Sequence, residues 1–79
     1  MKTMCNELKY TVEMKRINVL DLMTAVNHVI FAFEDEIKDP ETTEERRKIC
    51  QNSIDHRWMP VKKELEKQFN AQDKAHGFA

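Results

Sequence analysis

Turn residues are scarce in this sequence. Glycine occurs once and proline twice in 79 residues, which excludes an all-β domain assembled from many short, tightly turned strands. The lone glycine is Gly77, so no glycine-rich loop can cradle a phosphate. Two cysteines, Cys5 and Cys50, supply neither a disulfide framework nor a Cys-based zinc site on their own. There is no apolar N-terminal leader and no uninterrupted run of about 18 apolar residues, and the expectation is a cytoplasmic chain. Neither charge sign dominates: 13 Lys and Arg against 14 Asp and Glu leave a formal net charge of -1, which disfavours a strongly basic nucleic-acid module.

What is present suits a small helical domain. Hydrophobic residues make up 41% and charged residues 34%, a globular rather than a disordered balance. A chain this short is one domain that buries only about 60% of its unfolded surface, and its core supplies no more than roughly 3–5 kcal/mol.

Residues 1–7 carry no periodic signal and are read as a flexible terminus. Over 8–15, Leu8, Tyr10, Val12 and Met14 alternate with Lys9, Thr11, Glu13 and Lys15. Period two marks a half-buried strand, yet no second strand pattern exists in the chain to pair with it. The segment is therefore either a strand paired with its copy in another subunit or an early helical turn. Residues 18–38 read as a first helix, capped by Asn18, with Leu22, Val26, Val29, Ile30, Phe33 and Ile37 in one stripe. Val19, Leu20, Met23 and Phe31 widen that stripe beyond what one partner helix covers.

Asp39-Pro40 ends this helix, and Asp39 or a Thr42/Glu45 capping box opens the second. The second helix spans 41–70, with Ile49 or Cys50, Ile54, Trp58, Val61, Leu65 and Phe69 on its inner stripe and a bend near Pro60. Residues 71–79 read as a flexible tail. The fold class is mainly α: a short N-terminal strand and an antiparallel two-helix hairpin, completed by homo-oligomerisation.

No catalytic constellation emerges. Ser53 lacks a nucleophile elbow, Cys50 lies at a core position where thiols are inert, and no Glu-x-x-His or EF-hand spacing occurs. The chain is read as a non-enzyme without metal or cofactor. His28 is read as a hydrogen-bonded core or interface residue. The acidic group Glu34, Asp35 and Glu36 near the hairpin tip, together with Arg57 and Trp58, supplies the candidate partner contacts, since Arg and Trp are enriched at binding hot spots. The structural alternative for Trp58 is the core. A second reading takes Arg46, Arg47, Lys48 and Arg57 as anion ligands, with Trp58 or Tyr10 stacking on the base of a nucleotide signal held between subunits. A third takes the strand and two helices as a ribbon-helix-helix DNA regulator presenting Lys9, Thr11 and Lys15. Glu13 on the same face opposes it, as does the length of both helices.

The stretch Arg16-Ile17-Asn18-Val19-Leu20-Asp21-Leu22-Met23-Thr24-Ala25 resembles the opening of small proteins from phages and prophages of Gram-positive bacteria. The Asp39-Pro40 turn, Arg47, Trp58, Lys63-Glu64-Leu65 and Gln68-Phe69 fit the same resemblance. It implies a phage-derived protein acting inside a bacterial host. By class-level analogy, it also implies a host-takeover or anti-defence factor that binds and inhibits or redirects a host protein. It carries over no site residues.

Overall fold

The computed structural model describes residues 8–77. Helix α1 spans Arg16–Lys38 and begins earlier than Asn18. Its N-cap is Lys15, whose side chain makes no cap bond, while the Asn18 N–H donates to the Lys15 carbonyl at 2.9 Å. Asn18 is thus part of the first turn and not its cap. The helix stops where Pro40 requires it, with the Asp39 N–H reaching back to the carbonyls of Asp35 and Glu36. Asp39 then folds its own turn: its Oδ1 accepts the Glu41 N–H at 2.9 Å, the local bond for which Asp is favoured in turns.

Helix α2 spans Glu44–Ser53. Its cap is Thr43, whose Oγ1 accepts the Arg46 N–H at 3.2 Å, in place of Asp39 or Thr42. Glu44 and Glu45 occupy the first turn, where negative charge complements the helix dipole.

The second arm departs from an α-helix before Pro60. Residues Ile54–Trp58 form a π-helical turn, closed by the Met59 N–H donating to the Ile54 carbonyl. Helix α3 follows over Met59–Ala75 with Pro60 in its first turn. A proline has no N–H for the carbonyl four residues back and clashes with it. Widening the preceding turn by one residue relieves both problems. The expected bend near residue 60 is therefore a widened turn.

That turn changes which residues face inwards. One extra residue rotates everything after it by about 100° relative to a continuous α-helix. Val61, expected on the inner stripe, is 41% exposed, while Met59 packs against the core. In α2, which precedes the turn, Cys50 is buried and Ile49 is exposed.

The two arms pack as a helical hairpin. Val26, Ile30 and Ile54 form its centre, backed by Phe33, Ile37, Trp58, Met59 and Leu65. The first helix has more apolar surface than this arrangement covers. Ile17 and Phe31 project from the face of α1 opposite Val26 and are 61% and 55% exposed. His28, expected in a core or an interface, is exposed in the single chain. By length and composition alone, the 23-residue α1 is long and apolar enough to cross a membrane. Core helices of soluble proteins share that length and composition.

Two expectations at the ends change. Residues 8–15 have no regular secondary structure, because among the described residues no second strand is present to complete a ladder. At the other end, α3 continues to Ala75, past the expected limit at residue 70, and Gly77 follows at φ 87°. That left-handed conformation after a helix is one only glycine adopts without a Cβ penalty. The last turns are tied to the start of α1. The Arg16 Nε and Nη2 donate to Asp73 at 3.0 and 2.9 Å, and the guanidinium lies 5.2 Å from the centre of the Phe69 ring.

Candidate functional site

The hairpin tip is organised by two arginines on α2. Arg46 grips Glu36 of α1 through a two-pronged interaction, Nε at 2.8 Å and Nη2 at 3.1 Å. Glu36 Oε2 also accepts the thiol of the buried Cys50 at 3.1 Å. The Arg46 guanidinium and then the Cys50 thiol hold the Glu36 carboxyl below its ordinary range. Burial, followed by the Glu36 bond, raises the Cys50 thiol above its ordinary value, the direction opposite to that of a reactive thiolate.

Arg47 turns the other way. Its Nε donates to the Ile37 carbonyl at 3.1 Å and its Nη2 to the Asp39 carbonyl at 3.0 Å. Carbonyls at the end of a helix have no partner within it, so Arg47 caps α1 from α2. It also lies 3.7 Å from Glu44.

These bonds redistribute the candidates. Of the acidic group, Asp35 is exposed, Glu34 is half-buried, and Glu36 is committed to Arg46 and Cys50. Among the described residues no group of three or more His, Cys, Asp or Glu could hold a metal ion. Arg57 is exposed on the π turn beside Trp58, which is half-buried and packs against the core.

The anion candidates do not converge within one chain. Arg46 and Arg47 are engaged in the hairpin, Lys48 and Arg57 are exposed, and Tyr10 lines a groove with Arg16, Phe69 and Asp73. That groove is at the start of the 23-residue α1, and the Arg46–Lys48 stretch lies towards its other end, where Arg46 pairs with Glu36.

The Arg16, Phe69 and Asp73 cluster had no signal in the sequence, since Arg16 and Asp73 are 57 residues apart. Asp73 sits below its ordinary range, chiefly through its bond to Arg16. A cavity of about 10 Å³ lies between α1 and α3, lined by Met23, Val26, Asn27, Lys62, Leu65 and Glu66. This is the scale of a single water and too small for a metabolite. No protein family, curated protein or solved structure matches the chain, so its own residues carry the functional reading.

Proposed function

We propose that this chain is a non-catalytic, oligomeric binding protein, phage-derived, that binds a protein of its bacterial host in the cytoplasm and inhibits or redirects it. The observation that carries the binding role is the apolar surface left open by the hairpin. Tyr10, Val12, Ile17, Phe31 and Ile49 are between 53% and 81% exposed. Tyr10 and Val12 line an open groove with Leu22, Leu65 and Phe69, and contiguous apolar surface of that kind marks interaction sites. Some of this surface serves self-association into a homodimer or higher oligomer, and the rest receives the host protein. The phage origin rests on the resemblance of the α1 opening.

Asp35, Arg57 and the exposed edge of Trp58 are the contact residues of this reading, and Glu34 and Glu36 support the acidic side. Capture from host lysate on immobilised protein tests it. A stoichiometric host protein that is retained by the parent and lost with Asp35→Lys and Arg57→Glu supports the proposal. Equal retention by parent and variants, or no stoichiometric protein, removes it. The nucleotide reading is weaker, because Arg46 and Arg47 already have protein acceptors.

A further inference from the structure

We propose that residues 8–14 pair with the same residues of a second copy as a two-stranded antiparallel ribbon, in the register centred on Thr11. The proposal rests on the oligomeric half of the functional reading and is independent of any host partner. Three observations support it.

The first is backbone chemistry. Among the described residues, the N–H and C=O groups of residues 8–14 have no hydrogen-bond partner. The second is the side chains. Leu8, Tyr10, Val12 and Met14 are all exposed, Tyr10 by 81% and Val12 by 73%, although they alternate as one face of a strand does. Residues 10–14, both the apolar Tyr10, Val12 and Met14 and the polar Thr11 and Glu13, line an open groove with Leu22, Leu65 and Phe69. A two-stranded ribbon needs such a helical surface beneath it for stability.

The third observation selects the register. A twofold axis at Thr11 sets Lys9 opposite the partner's Glu13 and Glu13 opposite the partner's Lys9. Thr11 meets Thr11 between them, a favourable cross-strand pair. On the other face Tyr10 meets Val12 and Leu8 meets Met14, all apolar. In sequence the same complementarity continues outwards to Glu7 and Lys15.

Every neighbouring register fails this test. A twofold at Tyr10 sets Lys9 against Thr11 and forms no ion pair within residues 8–14, and one at Val12 sets Lys9 against Lys15. A twofold at Lys9 or Glu13 pairs that charge with itself. A slip that places the axis between residues sets apolar side chains opposite polar ones along the whole ribbon. Self-complementary charge also identifies the occupant of this edge as a second copy of the chain and not an unrelated strand.

The experiment is sedimentation velocity with light scattering on the full chain at micromolar concentration, with far-UV circular dichroism to confirm that each variant keeps its helices. The parent has twice the 9.4 kDa chain mass. K9E and E13K singly turn two attractive pairs into two repulsive ones and weaken the dimer by roughly tenfold or more. The double variant K9E/E13K exchanges the charges and returns the dissociation constant to that of the parent. Thr11→Cys in a Cys5→Ser background forms a disulfide-linked dimer on oxidation, since directly opposed strand residues lie within disulfide reach. A 9.4 kDa particle overturns both the ribbon and the oligomeric reading. A dimer indifferent to both single reversals, or one that the double variant fails to rescue, overturns the ribbon while leaving oligomerisation in place. Failure of Thr11→Cys to cross-link overturns the register.

Discussion

Truncating Ile30 is the most direct test of how α1 is oriented in the hairpin. Ile30 is 2% exposed and packs with Val26 and Ile54 at the centre of the core. Removing one buried methylene as Ile30→Val costs about 0.5–1.5 kcal/mol, and Ile30→Ala about 2–5 kcal/mol. A core of this size rarely supplies more than roughly 3–5 kcal/mol in total, so the alanine variant is expected to be largely unfolded and the valine variant measurably weakened. In urea, with a slope near 1 kcal/mol per molar for so small a protein, Ile30→Val lowers the midpoint by about 0.5–1.5 M. Helix content followed by circular dichroism is the readout. Phe31→Ala is the control: its ring is 55% exposed on the other side of α1. Within one chain such a change is worth less than about 0.5 kcal/mol, and any larger effect acts through assembly and varies with protein concentration. An unchanged midpoint for Ile30→Val, with a concentration-independent loss for Phe31→Ala, would show that α1 is rotated and that the assigned core is wrong.

Trp58→Ala is expected to lower stability by about 2 kcal/mol, below the 3–5 kcal/mol of a fully buried aromatic, because Trp58 is half-buried against the core. An unchanged denaturation midpoint would make it a surface contact alone. The lowered Glu36 carboxyl contributes stability that is present above the ordinary carboxylate range and disappears as pH falls through its depressed value. Glu36→Gln should therefore flatten the acid limb of the stability profile, and an identical limb in both proteins would refute the role given to Arg46 and Cys50. In a Cys5→Ser background, Cys50 should react with a thiol reagent only as fast as the hairpin opens, because it is fully buried and its thiol is raised. Immediate labelling of the folded protein would contradict that placement.

Local rules were sufficient for the hairpin. Asp39-Pro40 forbids continuation of α1 whatever surrounds it, and the spacing of Val26, Ile30, Phe33 and Ile37 already marks the buried face. Ile54 is likewise found where its period places it. The excess of apolar residues on α1 was also legible, and the exposed Ile17 and Phe31 are its consequence. The exact caps were not, because Asp39, Thr42 and Thr43 are all competent caps and only the path of the turn chooses Thr43.

Tertiary structure decided the inward face of the second arm. Pro60 announces a disturbance, yet the sequence alone does not say whether the helix bends or widens. The π turn rotates Val61 outwards and brings Met59 in, a choice made by packing against α1. Likewise, nothing local pairs Arg16 with Asp73, Arg46 with Glu36, or Arg47 with the last carbonyls of α1. These partners are distant in sequence, and only closure of the hairpin brings them within hydrogen-bond reach. The alternation over 8–15 marks the opposite limit: a strand's hydrogen bonds belong to a pair, so the pattern is written in one chain while its structure requires a second.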